Sequence, residues 1–227
     1  MLREWDKLPK NMRTEAVRPY YESLKKKKVS LALKRTFDVI ASTIMIVILS
    51  PLLIIISVLI VTDSKGGVFY RQERVTQYGK KFRIFKFRTM VANADKIGTQ
   101  VTVSNDNRIT RIGSVIRKYR IDEIPQLFNI LVGDMSLVGT RPESVHYVKH
   151  YTPEMMATLL MPAGVTSEAS ILYKDEAELL DQADDVDRVY IEEILPEKMK
   201  YNLESMKKFS FIQEIGTMIK TMIAVLR

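Results

Sequence analysis

The chain has no cysteine and only two histidines among its 227 residues. The first absence excludes disulfides, zinc ribbons, iron–sulfur ligation and a thiol nucleophile, and it points away from a secreted, oxidised setting. The second leaves too few ligands for a multi-histidine metal centre. His146 and His150 stand four apart, but with no HExxH pattern they read as one face of a surface helix. Neither an internal repeat nor a familiar nucleic-acid motif is present. What is present is an apolar fraction of 46% against 27% charged residues. That balance supports a packed core in one domain, or one domain with an appendage, rather than disorder.

Charge is unevenly placed. Residues 1–37 carry a net +7, residues 38–63 −2, residues 64–120 +11, residues 121–205 −11 and residues 206–227 +3. The pattern is a basic shell around a greasy segment, then an acidic lobe and a basic amphipathic tail. A basic block beside an apolar run reads as attraction to anionic membrane lipids or to phosphates. Nucleic acid, the competing polyanion, is set aside because the apolar run calls for lipid.

That run is Val39–Thr62, 24 residues without a charge. As one straight helix it measures about 36 Å, enough to cross a hydrocarbon core of about 30 Å. Ser50-Pro51 stands at its centre, where proline removes a donor and crowds the preceding turn, so a kink or break is expected there. Ser50 can help hold such a bend by bonding back to the backbone. Two topologies are open to a kinked helix: to cross the bilayer, or to bend and leave on the side it entered. Both flanks are basic, Lys25–Lys28, Lys34 and Arg35 before, Lys65, Arg71 and Arg74 after, and that symmetry favours a re-entrant helix-break-helix.

Elsewhere, residues 1–30 read as a basic amphipathic approach with Trp5, Tyr20 and Tyr21 as interface anchors. Val68–Tyr70 and Lys81–Phe87 alternate like short strands around a turn at Gln77-Tyr78-Gly79. Ser104–Asn107 reads as a polar loop. Thr110–Arg120 and Ile121–Val132, interrupted near Pro125, read as helices. Pro142 can open another through Tyr151, and Leu172–Asp187, Val189–Tyr201 and Phe209–Leu226 complete the series. The expected fold is α+β and mainly helical. Its segments are a basic amphipathic piece (1–32), a re-entrant membrane helix (33–63), a compact cytoplasmic domain with short strands (64–167), and an acidic helical lobe with a C-terminal amphipathic interface helix (168–227). Asp181, Asp184, Asp185 and Asp187 lack the spacing of a calcium loop and read as solvated.

The chemistry concentrates at Asp122-Glu123, with Arg117, Lys118, Arg120, Asp134 and Arg141 in the same helix–loop unit. Hard oxygen ligands of this kind suit magnesium held together with substrate phosphates. An ionised aspartate can also attack phosphorus. A Gly-Thr-Arg-Pro turn can aim the planar guanidinium of Arg141 at a pyrophosphate.

LKRTFD (33–38), the Ser50-Pro51 break, VFYRQERV (68–75), FRIFKFRTM (82–90), NDNRITRIG (105–113) and above all IRKYRIDEIPQLFNILVGDMSLVGTRPE (116–143) resemble the small monotopic phosphoglycosyl transferases, the bacterial sugar transferase family. The likeness covers about residues 30–145. It implies transfer of a sugar 1-phosphate from a UDP-sugar to polyprenyl phosphate at the cytoplasmic face of the inner membrane, with UMP as leaving group. It implies Asp122 as nucleophile, Glu123 as the partner carboxylate, and Mg2+ at this pair. Arg141 matches a phosphate-binding arginine, although Thr140 replaces the proline that precedes it in relatives. Arg117, Lys86 and Arg88 match basic positions lining the site. Lys34, Arg35 and Asp38 match the cap of the re-entrant helix, where Arg35 and Asp38 can pair. Pro162–Glu168 departs from the Pro-Gly-Ile-Thr-Gly-Trp stretch of relatives and leaves the donor sugar open. Arg108 and Arg111 either meet phosphates or satisfy Asp106 and nearby carbonyls. The oligomeric state stays open, a homodimer included. Two rival readings are a non-enzymatic membrane-surface adaptor and, last, a nucleic-acid binder.

Overall fold

A computed structural model describes residues 2–94, 106–173 and 185–226. Ser104, Asn105, Asp181, Asp184 and most of the helix expected over 172–187 lie outside the described residues.

The chain opens with 3-10 turns at Trp5–Lys7 and Lys10–Met12 and a helix, α1, Arg18–Lys25. Tyr20 and Tyr21 are not interface anchors. Both are buried, packed with Leu24, Met156, Leu160, Met206 and Phe209, and Trp5 meets Tyr21 edge-on at 5.1 Å. A basic amphipathic helix hides its apolar stripe in whatever is apolar and near, and here that is the protein's own core.

Helix α2, Lys28–Asp63, is one continuous run of 36 residues. The expected break at Ser50-Pro51 does not interrupt it. Pro51 leaves the Val47 carbonyl without its amide partner, and the Ser50 hydroxyl donates to that same oxygen at 2.8 Å. One stripe of α2 lies against the rest of the molecule. It begins with buried Lys34, Asp38 and Ser42, continues through half-buried Ile46, Leu49 and Leu53, and ends with buried Ile56 and Ile60. The other faces expose Ile40, Ile44, Val47, Ile48, Ile54, Ile55, Val58 and Val61. Only 17% of the most apolar 18-residue stretch is buried, so this helix is not the core helix of a water-soluble domain, and its length and composition allow it to be embedded in a membrane.

Strands β1 (Phe69–Val75) and β2 (Lys81–Phe87) form an antiparallel hairpin in which Phe69 faces Phe87 and Val75 faces Lys81. Tyr78 and Gly79 take left-handed φ values of 60° and 74° in the connecting turn. Helix α3 (Arg111–Lys118) starts at Thr110, whose hydroxyl accepts from the Gly113 amide at 3.0 Å. A 3-10 turn, Ile121–Glu123, leads into α4 (Gln126–Val132), which stops at Gly133 with φ +89°. Strand β3 (Met135–Val138) pairs in parallel with β4 (Ala163–Thr166), a two-strand sheet absent from the elements expected above.

Pro142 does not open the next helix. Short α5, Val145–Val148, is capped by Ser144, whose hydroxyl accepts from the Tyr147 amide. Helix α6 spans Glu168–Leu172. The acidic lobe resumes as α7, Val186–Val189, and passes through a π-helical turn, Tyr190–Ile194, into α8, Leu195–Lys207. Asp185 caps α7 by accepting from the Arg188 amide, and Asp187 holds His146 and Tyr147, each at 2.9 Å. Helix α9, Phe211–Leu226, ends the chain with Ile212, Ile219, Met222 and Ile223 exposed.

Candidate active site

Three polar side chains near the start of α2 staple it to the domain. Arg35 and Asp38 do not pair. Arg35 donates to the Ile130 and Leu131 carbonyls at 2.7 and 3.0 Å, satisfying the C-terminus of α4 where the helix dipole is negative. Asp38 accepts from the Ser136 hydroxyl at 2.7 Å and the Leu137 amide at 3.1 Å on β3. Lys34 donates to the Val138 carbonyl and to Glu214 of α9, both at 2.7 Å. Helix α4, held in this way at its far end, begins directly after the acidic turn.

The turn itself is set by Arg120, a non-glycine residue at φ +53°. That left-handed residue ends the α3 segment and redirects the chain so that Asp122 and Glu123 occupy successive positions of a 3-10 turn. Strand β2 approaches from the side. Asn129, buried in α4, docks it by accepting from the Phe85 amide at 2.8 Å and donating to the Arg83 carbonyl at 3.1 Å. Lys86 is thereby brought to 2.8 Å from Glu123 and 4.0 Å from Asp122.

The two carboxylates have opposite surroundings. Glu123 Oε1 accepts from Arg141 at 2.5 Å and from Lys86 at 2.8 Å. Burial alone would raise its pKa, but Arg141 and Lys86 outweigh burial and hold it well below the usual carboxylate range. For Asp122 burial wins and the pKa rises, despite Lys86 and Arg117, with the Glu123 charge adding to the rise. Asp122 faces a cavity of about 390 Å³ lined by Lys86, Arg117, Arg74, Arg108, Tyr70 and Phe69. Glu123 and Arg141 border a second, of about 590 Å³.

Arg141 sits on a loop that is firmly held although Thr140 precedes it. The Thr140 carbonyl accepts from the Gly164 amide at 2.9 Å, and the Glu143 carbonyl from the Val75 amide at 3.0 Å. The Pro142 carbonyl accepts from Arg74 at 3.4 Å. The Gly139 and Gly164 backbones cross so closely that a Cβ on Gly164 would stand 2.1 Å from the Gly139 nitrogen. Underneath, buried Glu143 accepts from Tyr190 at 2.7 Å, Tyr190 accepts from Lys198 at 3.1 Å, and Lys198 lies 3.8 Å from Glu143.

The structure thus gathers Asp122, Glu123, Lys86, Arg117 and Arg141 around one turn. Arg88 also lines the cavity that Asp122 faces, and its guanidinium donates to the Ser64, Lys65 and Ile60 carbonyls at the end of α2, at 2.6, 2.7 and 3.3 Å. Arg108 grips Asp106 through both of its oxygens, and that bond lowers the Asp106 pKa to about 2. Sequence reading missed Arg74, Asn129, Glu143, Tyr190 and Lys198. An asparagine within an apolar helical run and an acid beside the Thr-Arg-Pro loop were the available signals for two of them.

Among the described residues no cluster of three or more acidic or histidine side chains could hold a metal ion. The donor set available to magnesium is Asp122 with Glu123, and Glu123 is already committed to two cations. That set fits a metal held mostly by substrate phosphates, which is magnesium's habit.

The Bacterial sugar transferase profile matches residues 29–227. A UDP-N-acetylgalactosamine-undecaprenyl-phosphate N-acetylgalactosaminephosphotransferase of Aeromonas hydrophila is 36% identical over 86% of this chain and 44% of its own length. A UDP-glucose:undecaprenyl-phosphate glucose-1-phosphate transferase of Klebsiella pneumoniae is 37% identical over 63% of this chain and 31% of its own. For the undecaprenyl-phosphate galactose phosphotransferase of Salmonella typhimurium the figures are 37%, 62% and 32%. The matched region spans less than half the length of each of these three relatives. With a match that takes in the stapled helix, the acidic turn and the Arg141 loop, the chain belongs to the bacterial sugar transferase family.

Proposed function

We propose that the protein transfers a sugar 1-phosphate from a UDP-sugar to undecaprenyl phosphate, releasing UMP, as the first membrane step of glycan assembly. The observation that carries this reading is the pairing of Asp122, which faces an arginine- and lysine-lined cavity, with Glu123, which is clamped by two cations. The cavity suits a diphosphate. The names of the relatives supply the lipid acceptor and the UDP-linked donors.

In the first step an Asp122 carboxylate oxygen attacks the β-phosphorus. The Oδ–P bond forms as the bond to the bridging oxygen breaks, and UMP leaves with that electron pair. In the second, a phosphate oxygen of undecaprenyl phosphate attacks the same phosphorus from the side UMP vacated. The P–Oδ bond breaks, the carboxylate is restored, and the sugar remains on a lipid diphosphate. Lys86 and Arg117 favour the ionised Asp122 and face the transferring phosphate. Arg141 and Lys86 hold Glu123 so that the turn keeps its shape. Magnesium, bound by Asp122 and the diphosphate, would neutralise the charge that builds on the leaving UMP.

Helix α2 is proposed to stay within one leaflet, bending at Ser50-Pro51 without losing its helical run, with the catalytic residues at the headgroup plane on the cytoplasmic side. Both halves of α2 bind the same domain, Lys34 and Asp38 to β3 before Ser50-Pro51 and Asp63 to the Ile112 amide at 3.0 Å after it, whereas a spanning helix puts its two halves toward opposite faces of the bilayer. The chain's lack of cysteine makes a clean labelling test. Lys28→Cys and Gly67→Cys should both react with an impermeant maleimide from the cytoplasmic side only; reaction of one from each side would overturn the placement.

Activity is tested by supplying magnesium, undecaprenyl phosphate and a panel of UDP-sugars and measuring UMP. One donor should give UMP and a lipid-linked phosphosugar with wild type and neither with Asp122→Asn. Equal turnover by the variant sinks the aspartyl mechanism.

A further inference from the structure

Two residues past Arg141 the loop meets the acidic lobe. Glu143, Tyr190 and Lys198 are buried together there. Tyr190 donates to a Glu143 carboxylate oxygen at 2.7 Å and accepts from Lys198 at 3.1 Å. Lys198 stands 3.8 Å from the same oxygen, so the phenol links the two charges. Tyr190 is steadied in turn by Tyr147 of α5, whose ring centroid lies 4.5 Å away and whose hydroxyl donates to Asp187 of α7 at 2.9 Å.

Stability does not explain this arrangement. Desolvation of two buried charges cancels much of their attraction, and apolar side chains of similar size would hold the lobe as well. What the linkage fixes is the place of one carboxylate. The Glu143 carbonyl accepts from the Val75 amide at 3.0 Å, so the residue is fastened to β1 by its backbone and to the lobe by its side chain. Arg74, the neighbour of Val75, donates to the Pro142 carbonyl at 3.4 Å and lines the cavity that Asp122 faces. Burial lowers the pKa of the Arg74 guanidinium; the Glu143 charge opposes that, and the Arg141 charge adds to it. Glu143 is therefore a counter-charge for a guanidinium in the cavity, on the same loop as the guanidinium that clamps Glu123.

We propose that Tyr190 and Lys198 are positioning residues for the donor diphosphate: they fix Glu143, and through it the Arg74 guanidinium and the loop that carries Arg141. The proposal deepens the reading of the protein as a sugar-phosphate transferase and rests on it. Neither side chain lines the Asp122 cavity, so both act at one remove. The effect belongs to the donor step. A UDP-sugar is held by its phosphates before it reacts, whereas after UMP has left the phosphosugar is held by its bond to Asp122.

The test uses the full chain in lipid nanodiscs and reads the two half-reactions separately. Tyr190→Phe keeps the ring and removes the link. The UDP-sugar concentration that gives half the maximal single-turnover rate of UMP release should rise about fivefold, while the rate at which undecaprenyl phosphate discharges the adduct is unchanged. Lys198→Met combined with Glu143→Gln removes both buried charges. That double variant should melt no lower than wild type and still need about fivefold more donor. A wild-type donor dependence in either variant, or equal losses in both half-reactions, overturns the proposal. Amide exchange supplies a readout independent of turnover: the Val75 amide, bonded to Glu143, should exchange faster in Tyr190→Phe, and the Leu137 amide, bonded to Asp38, should not. Unchanged exchange at Val75 also overturns it. Faster exchange at Val75, with no UMP from any donor in wild type, would leave the tether standing and remove the transferase reading instead.

Discussion

Two carboxylates on successive residues of one turn are treated in opposite ways. Glu123 is caught between Arg141 and Lys86, and its charge is compensated. Asp122 has Lys86 only at 4.0 Å and faces a cavity. The first arrangement fixes shape. The second keeps a desolvated anion ready to react, at a cost in stability. Sequence spacing treats the two as equivalent acids; the neighbours brought by β2 and by the Arg141 loop make them different.

The largest expected contrast is in activity. Asp122→Asn should abolish adduct and turnover, a loss of about 10³-fold or more, while Glu123→Gln should slow turnover by about 10²-fold and still form the adduct, read by intact-protein mass spectrometry. Adduct on the Asp122 variant would reverse the assignment. Next comes the clamp. Arg141→Lys keeps the charge but loses the planar fork, and should cost about tenfold in kcat/KM for the donor; no change would show that only charge matters there.

The pH profile sharpens the same contrast. Asp122 must be ionised to attack, and burial raises its pKa, so the acid limb of kcat/KM should lie above that of an exposed aspartate. Lys86 opposes the rise, so Lys86→Met should move the limb to still higher pH. A shift to lower pH would contradict the electrostatics.

The smallest effect is thermal. The folded pKa of Asp122 is raised, so its contribution to stability is lost as pH rises through that value, and Asp122→Asn at pH 7.5 should melt about 2–4 °C higher. The folded pKa of Glu123 is depressed, so it stabilises above the unfolded carboxylate range and loses this as pH falls; Glu123→Gln should melt lower. Shifts of the same sign would collapse the distinction.

The sequence made α2, the hairpin strands and the acidic turn legible because each has a local signature: an uncharged run, an alternation, a charged cluster. Where it misled, two environments shared one pattern. The basic positions Lys86 and Arg88 both line the Asp122 cavity, but only Lys86 reaches the carboxylates, because β2 ends at Phe87 and the Arg88 guanidinium is held by carbonyls at the end of α2. The spacing of Arg35 and Asp38 permits a pair, but open carbonyls on α4 and amides on β3 were better partners. The apolar stripe of residues 17–24 fits a bilayer or a core, and only tertiary packing decides. Strands β3 and β4 are four residues each and separated by 24 residues, too short and too distant for periodicity to reveal.

The crossing of Gly139 and Gly164 limits how a chain of this design can diversify. A methyl group at either position would meet backbone and no yielding side chain, and the strands would have to part, carrying off the guanidinium two residues along from Gly139. Val165 and Thr166 sit next to that crossing, yet their side chains border the larger cavity and can be exchanged without disturbing it. Variation in ligand preference therefore has room to accumulate one step away from a position where almost none is tolerated.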